Sequence, residues 1–493
     1  MKLLALRLCS HDSNICYYDE NKVHYIKSER HKQIKHHAFN NLWEWRLAIK
    51  HFWDIEYTDI DQIGIVIDPW QHNIVNTELN SLIQDYDLFP AACKVHRIDH
   101  HYAHSLSSWM LTDHSDVDIV IDGFGEEDVT WSIFKNSKLL EKGSVQDSGS
   151  LGIEMANAGQ SMGINYFDVH DIAGKLMGLQ SYGKIDKNFK KIITGYDMYN
   201  IKSIFNFDKW VQYKGDELLA LHTRLDWIAT VHDYVGDVLI NFFKKFAKKN
   251  DTITYTGGVA QNVIWNTKLK KHFKNLIIPP HCADDGLSLG IIEALRIKNN
   301  LDKINVSSFP YIQNDISTDI PTDETITKAA ELLADGKVVA WYQGNGEVGP
   351  RALGNRSILM SPLIKNAKTV INEIKNRENY RPFGGVVLDE DREEYFDLKF
   401  ENPYMLYVAK IKDKRLKCIT HIDKTCRIQT INKSDNPILR SLMIKFKELT
   451  GCSVLLNTSL NDNGKPIAGK PEDAISLKEN SNLDYLIIGN KFY

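Results

Sequence analysis

No apolar run in the 493 residues is long enough to span a bilayer, so no membrane partner is expected. The opening MKLLALRLCSHDS turns polar too early for a secretory leader and reads as a first strand. Cysteine is scarce. The seven residues Cys9, Cys16, Cys93, Cys282, Cys418, Cys426 and Cys452 form no C-x-x-C pair, which predicts buried, reduced thiols in a cytoplasmic protein. Charge of one sign is also lacking: a formal net charge of -4 gives no global pull toward nucleic acid. Two lysine-rich stretches, FFKKFAKK (242–249) and KLKKHFKN (268–275), space their lysines between apolar residues and read as solvated helix faces. What is present is the 43% hydrophobic and 25% charged composition of a soluble globular protein, at a length that predicts two or three domains.

A weak internal repeat organises the N-terminal half. KLLALRL, NICYYDE and KVHYIKSER predict three strands, and VDIVIDGFGEED, VTWSIFKN and KLLEKGSV repeat the scheme from about residue 117. A meander used twice, with helices between, predicts a duplicated α/β domain with a ligand cleft between its halves. The first strands end in CSHDS and DGFGEED, small-residue turns whose N–H groups can approach an anion. YTGGVAQN (255–262), between the strand DTITY and the helical VIWNTKLKKHF, is a third such turn. Residues 306–323 carry two prolines, lack a period and read as a linker. Beyond it, the amphipathic ETITKAAELLADGK and the strand KVVAWYQGN open a second α/β domain with its own site.

Several clusters carry chemistry. In DHHYAHSLSSWM (99–110) Asp99 suits an N-cap, and His100 and His104 share one helix face while His101 points elsewhere. That spacing suits zinc or iron, and also serves as plain surface or core histidine. Asp284 and Asp285, in a turn before a helix, offer a carboxylate to complete a two-His, one-carboxylate set; a helix N-cap is the alternative. His11 lies near the mouth of the same cleft, and Glu29, Arg30, Lys35 and His36 are either substrate contacts or a charged strand end. In the second domain, GEVGPRALGNRS sets Arg351 and Arg356 on a glycine-punctuated turn. IKNRENYRPFGG adds Lys375, Arg377 and Arg381, and VLLNTSLNDNGKPI adds Asn457, Ser459 and Asn461. So many cations with so few carboxylates predict an anion cradle for a triphosphate or an acyl phosphate.

The ordered set HDS, ER…KHH, HHYAH, DGFGE, GKLMGLQSYG, TGGVAQN, ADDGLSLG, GPRALGNRS, KNRENYRPF, CRIQT and LLNTSLN covers nearly the whole chain. It resembles the O-carbamoyltransferase family of nodulation-factor and antibiotic-tailoring enzymes. The resemblance implies a duplicated actin-like (ASKHA) domain over 1–305, a linker over 306–323 and a YrdC-like α/β domain over 324–493. It implies that carbamoyl phosphate and ATP, with Mg2+, give carbamoyl-adenylate in the second domain. The adenylate then moves to the first, where a divalent transition metal (iron in the best-known members) holds its phosphate and an acceptor hydroxyl takes the carbamoyl group. Residue by residue, His100, His104 and Asp284 match the metal ligands, and His11 and Lys35 the transfer site. Gly257, Gly258 and Asn262 match the adenosine loop, while Arg351, Arg356, Lys375, Arg377, Arg381, Asn457 and Ser459 match the activation pocket. Asp122, Gly123, Lys175, Gly178, Arg427 and Asn461 join the substrate- and nucleotide-binding set from the same motifs. Two departures stand out: Leu460 where the family often has Phe, and Gln180–Ser181 where it usually has Ala-Pro, on a loop expected near the acceptor.

The acceptor implied by the family is a hydroxyl on a sugar or antibiotic-like small molecule. A hydroxymethylated base on a nucleotide or on DNA is the second candidate, favoured by the lysine stretches and opposed by the net charge. A fused tRNA threonylcarbamoylation enzyme fits less well, because GPRALGNRS and LLNTSLN resemble the O-carbamoyl branch. Hydrogenase maturation would need an acylphosphatase segment and paired zinc-binding cysteines, which are missing. A non-catalytic actin-like nucleotide-binding regulator would leave the arginine-rich second domain without a purpose.

Overall fold

Alternation along the first strand divides the first domain into two cores. The computed structural model describes residues 1–8, 11–19, 22–39, 43–67, 89, 93–164, 169–304, 306–313 and 318–493. In β1 (Leu3–Leu8) every residue is buried: Leu3 and Ala5 enter one apolar cluster, while Leu4, Leu6 and Leu8 enter another. A period of two with both faces covered is what a central strand under helices requires. The first cluster is closed by the helix Leu287–Lys298 and the second by Trp45 and Ile49 of the helix Glu44–Trp53.

Among the described residues, β1 pairs antiparallel with β2 (Asn14–Asp19), which pairs antiparallel with β3 (Lys22–Lys27). On its other side β1 runs parallel to β4 (Gln62–Ile67), and β4 to β5 (Lys94–Arg97). The second sheet repeats this strand for strand. There β6 (Val117–Ile121) is antiparallel to β7 (Val129–Lys135), which is antiparallel to β8 (Lys138–Ser144). On the other side β6 is parallel to β9 (Thr252–Thr256), and β9 to β10 (Asn275–Ile277). The expected duplication is therefore present, as two matching five-stranded sheets.

The second domain is one mixed sheet with the order β14-β15-β13-β16-β12-β11-β17-β18. Its strands are β11 (Val339–Tyr342), β12 (Arg356–Met360), β13 (Gly384–Leu388), β14 (Val408–Lys410), β15 (Thr425–Ile431), β16 (Val454–Ser459), β17 (Tyr485–Ile488) and β18 (Lys491–Phe492). With its helices this is an α/β domain, the expected class. Asp323–Ala334 is a helix as its period predicts, capped by Thr322, whose hydroxyl accepts from the Thr325 N–H.

The segment read as a linker is no free tether. Residue 305 and residues 314–317 lie outside the described residues, as does Cys9; the other six cysteines are buried. Within the segment, Gln313 exchanges backbone bonds with Gly346 (3.0 and 3.1 Å), and its side chain accepts from the Lys27 N–H (2.9 Å). It thus stitches the edge of β3 to the arginine turn. The lysine stretches sit at the ends of the helices Arg224–Phe246 and Val263–His272, beside the start of β9, whereas the Gly257–Gly258 loop follows its end. Five residues of strand put about 16 Å between them. Among the described residues, no helix is long and apolar enough to cross a membrane.

Candidate active site

The helix His100–Leu106 begins where Asp99 accepts the Tyr102 N–H (2.7 Å), as expected of an N-cap, and its pitch stacks His100 over His104. Gly290 makes the next contact possible. A Cβ there would strike the Ala103 carbonyl, so only glycine lets the helix Leu287–Lys298 lie against the histidine helix. The turn before that helix then delivers Asp284. The N-cap alternative for Asp284 and Asp285 fails, since Gly286 holds the cap position without any side-chain bond.

Four side chains converge here, not three. His100 Nε2 lies 3.1 Å from Asp122 Oδ2 and 3.5 Å from Asp284 Oδ1; His104 Nε2 lies 3.5 and 3.3 Å from the same two atoms. Each carboxylate has its other oxygen held from outside. Gly258 N–H donates to Asp122 Oδ1 (2.7 Å) and Arg7 donates to Asp284 Oδ2 (2.5 Å). Ligands about 2.1 Å from one ion stand about 3.0–3.4 Å apart along the edges of its polyhedron, so two imidazoles and two carboxylates at these spacings fit a divalent transition metal. All four are buried. Burial alone would depress His100, but Asp284 and Asp122 push it up to about 10; burial would raise Asp284, yet Arg7 and His100 hold it well below the carboxylate range. The family resemblance assigns Asp122 to the substrate- and nucleotide-binding set. Nothing in its local motif separates the two roles, because the contact comes from the Gly258 amide 136 residues away.

Beside this cluster, Asp12 Oδ2 accepts from Nδ1 of both His11 and His36 (3.0 Å each). Asp12 and His36 both hold φ of 53°, a left-handed conformation uncommon outside glycine. Asp12 Oδ1 is paired to buried Lys27 (3.1 Å), which also meets Glu29 (3.0 Å) and Asp285 (3.6 Å). His11 Nε2 lies 3.7 Å from Asp284, joining this group to the metal cluster. Burial lowers the basicity of His11, but Asp12 and Asp284 outweigh it and raise the pKa. Lys35 pairs with Asp171, and the ring of His170 lies 4.2 Å from that of His11. Neither Asp12 nor Lys27 was singled out from the sequence.

Gly257 and Gly258 floor the adjoining loop. Gly257 has φ of 92° with its Cα against the Ile121 carbonyl, where a side chain could not fit. Asn262 lines the same cavity but is committed structurally: its Oδ1 caps the helix Val263–His272, and its Nδ2 donates to His232 (3.0 Å). Gly123 lies in the loop after β6, and Ser150 donates to its carbonyl (2.5 Å).

The cavity, of about 660 Å³, continues without a break into the second domain. Arg351, Arg377, Arg381 and Arg427 line it there. The Nε atoms of Arg351, Arg377 and Arg427 are buried without a hydrogen-bond partner among the described residues. Arg381 has a counter-ion in Glu378 (3.2 Å), which also faces Lys175 (3.7 Å) from the first domain. Burial first, then Arg381, pushes Arg377 down to about 9; burial with Arg351 and Arg377 does the same to Arg427. Asn457, Ser459 and Asn461 complete the wall, Gly178 faces Tyr380, and Asn457 Oδ1 is likewise buried and unpartnered.

Two residues expected in the activation pocket, Arg356 and Lys375, do not line the cavity. Arg356 is turned inward: its guanidinium donates to the carbonyls of Gln343 (2.6 Å) and Gly344 (2.7 Å) and stacks 3.5 Å from the Tyr342 ring centre. Lys375 is buried behind the wall, its Nζ donating to Ser459 O (2.6 Å), Asn461 O (2.8 Å) and Asn461 Oδ1 (2.7 Å). The glycine-rich turn does cradle an anion, but an internal one. Fully buried Glu347 accepts the N–H groups of Leu353 (2.7 Å), Asn355 (2.8 Å) and Arg356 (3.1 Å) on Oε1. The departing Gln180–Ser181 pair bridges domains: Gln180 donates to Ser181, which donates to Asp423 (3.2 Å).

The cavity thus has a candidate metal set at one end and a cluster of four arginines at the other. The family model for the carbamoyltransferase N-terminus matches residues 89–292, and that for the carbamoyltransferase C-terminus matches residues 330–493. Nodulation protein NolNO of Sinorhizobium fredii is 29% identical over 455 residues, covering 83% of this chain and 65% of that protein. The uncharacterized protein MJ1051 of Methanocaldococcus jannaschii is 30% identical over 431 residues, covering 79% and 81%. The 3'-hydroxymethylcephem-O-carbamoyltransferase of Amycolatopsis lactamdurans is 34% identical over 250 residues, 48% of each chain. The chain belongs to the carbamoyltransferase family. It spans less than two thirds of the nodulation protein's own length.

Proposed function

We propose that the chain is an ATP-dependent O-carbamoyltransferase that activates carbamoyl phosphate in the second domain and transfers the carbamoyl group in the first. The observation that carries this reading is the single cavity of about 660 Å³ shared by the arginine wall and the His100–His104–Asp122–Asp284 cluster. Arg351, Arg377, Arg381 and Arg427 crowd positive charge along one wall where Glu378 pairs with Arg381, and phosphate groups suit their fork geometry.

In the first step, carbamoyl phosphate and ATP, with Mg2+, are gripped by Arg351, Arg377, Arg381 and Arg427. Water cleaves carbamoyl phosphate to carbamate and phosphate. A carbamate oxygen then attacks the α-phosphorus of ATP, pyrophosphate leaves, and carbamoyl-adenylate remains. In the second step, the adenylate lies against the Gly257–Gly258 loop. The acceptor hydroxyl oxygen attacks the carbamoyl carbon, its proton passes to His11 Nε2, and the bond to the phosphate of AMP breaks. Asp12, anchored by Lys27, accepts the Nδ1–H of His11 and so leaves Nε2 free to take that proton. A divalent transition metal on His100, His104, Asp122 and Asp284, iron in the best-known members, would supply positive charge for the adenylate's phosphate. The acceptor is proposed as a hydroxyl on a sugar or antibiotic-like small molecule; the lysine stretches lie at the far end of β9 and lend a DNA acceptor no support. Incubation with ATP, Mg2+ and a hydroxylated panel, with and without carbamoyl phosphate, tests the reading. AMP should form only with carbamoyl phosphate, and one panel member should gain a carbamoyl group; AMP formation indifferent to carbamoyl phosphate would overturn it.

A further inference from the structure

The arginine turn belongs to the second domain by sequence but is packed into the first. Val348 is fully buried in the apolar cluster of Leu287, Leu289 and Ile312, and its N–H donates to the Pro310 carbonyl (2.8 Å). Gly349, at φ of 88°, lies so close to the Pro280 carbonyl that a Cβ would collide with it. Arg30, from the helix that follows β3, donates to the Gly349 carbonyl (2.8 Å). On the other flank, Glu347 gathers the N–H groups of Leu353 and Asn355. The backbone on both sides of Arg351 is therefore pinned, from one domain by Arg30 and from the other by Glu347. Arg30 lines the cavity as well as holding the turn, whereas Glu347 is fully buried and does not line it, so Glu347 can act on a ligand only through this turn.

The position of Arg351 gives the pinning a purpose. It lines the cavity together with Asp284 and Asp285 of the metal-side loop and Arg381 of the arginine wall. Its Nε is buried without a partner among the described residues. We infer that Arg30 and Glu347 are positioning residues that hold Arg351 at the boundary between the two halves of the cavity, where it keeps its grip on the phosphate of the activated intermediate as this passes between them. A mixed anhydride is open to attack by water, and a fixed guanidinium at the boundary keeps it from being released.

This rests on the activity proposed above, and the test separates the two. Pyrophosphate release is followed in single mixing experiments with ATP, Mg2+ and carbamoyl phosphate and no acceptor, for the full chain and for Arg30→Met and Glu347→Gln. The unaltered chain should give a burst of about one pyrophosphate per folded chain and then a slow linear phase. Loss of folded protein lowers burst and linear phase together, so their ratio is blind to a merely structural defect. Both variants should raise the linear-to-burst ratio threefold or more, as intermediate escapes and the site reloads. An unchanged ratio in Arg30→Met, which lies in the other domain and does not share the Glu347 fold, would overturn the inference even if Glu347→Gln failed to fold. An unaltered chain that released no pyrophosphate would instead overturn the activation reading itself.

Discussion

Arg427→Met should make the protein more stable when no anion is present and less responsive when one is added. Arg427 is half-buried on β15, where Arg351 and Arg377 both oppose its charge, and its Nε has no partner among the described residues. The scale of the conflict can be read from Arg377, which burial and then Arg381 push well below the usual guanidinium range, to about 9. At about 1.4 kcal/mol per unit that is on the order of 5 kcal/mol, all of it present at neutral pH because the group stays charged there. Burial is the larger part; the share returned by removing one neighbouring charge is on the order of 1–2 kcal/mol. Methionine fills most of the space of the arginine stem, and such apolar replacements of buried charges are often neutral or stabilising. Urea unfolding with and without pyrophosphate is the assay. The unaltered protein should gain about 2–3 kcal/mol at an anion concentration some hundredfold above its dissociation constant, whereas Arg427→Met should gain much less. A variant that is destabilised without anion and still responds fully would refute the view that these arginines await an anion.

Two further outcomes follow. His104→Ala and Asp122→Asn should each lower metal affinity by at least about tenfold with the fold intact by circular dichroism, as read from metal content after dialysis against a graded chelator. Full occupancy in Asp122→Asn would remove it from the donor set. The second outcome concerns acid. Burial, with Lys268 nearby, pushes His232 from 6.5 down to about 3, and the ring stacks on Trp265 while accepting from Asn262. The unfolded chain therefore takes up this proton first, so stability is present above pH 6.5 and lost as pH falls. Between pH 6.5 and 5 His232 should account for about 2 kcal/mol of that loss, and His232→Gln should lose correspondingly less in urea melts across the same range. Identical slopes would contradict the burial of a neutral imidazole.

The architecture was largely legible because it is written in short-range patterns. The alternation that sends Leu3 and Ala5 to one side and Leu4 and Leu6 to the other is a period of two, and it recurs from Val117. The His100–His104 pair and its Asp99 cap are equally local. The assignment of individual roles was not legible, because it depends on partners far along the chain. GPRALGNRS contains two arginines in similar settings, yet Arg351 faces the cavity while Arg356 stacks on Tyr342. Only the return of β12 beside β11 decides between them. Glu347 read as an ordinary acidic neighbour, since its three N–H donors meet on it only after the turn closes. Lys375 likewise looked like a ligand for substrate, but the end of β16 claims it first.

The central claim is that one cavity both activates and transfers a carbamoyl group. The most direct measurement supplies carbamoyl phosphate labelled at its carbonyl carbon, with ATP, Mg2+ and the acceptor that gains mass in the panel, and follows the label together with AMP. The account predicts label in the acceptor in equal amount to AMP, with His104→Ala still releasing pyrophosphate but labelling nothing. Label reaching the acceptor without ATP, or His104→Ala labelling as well as the unaltered chain, would contradict it.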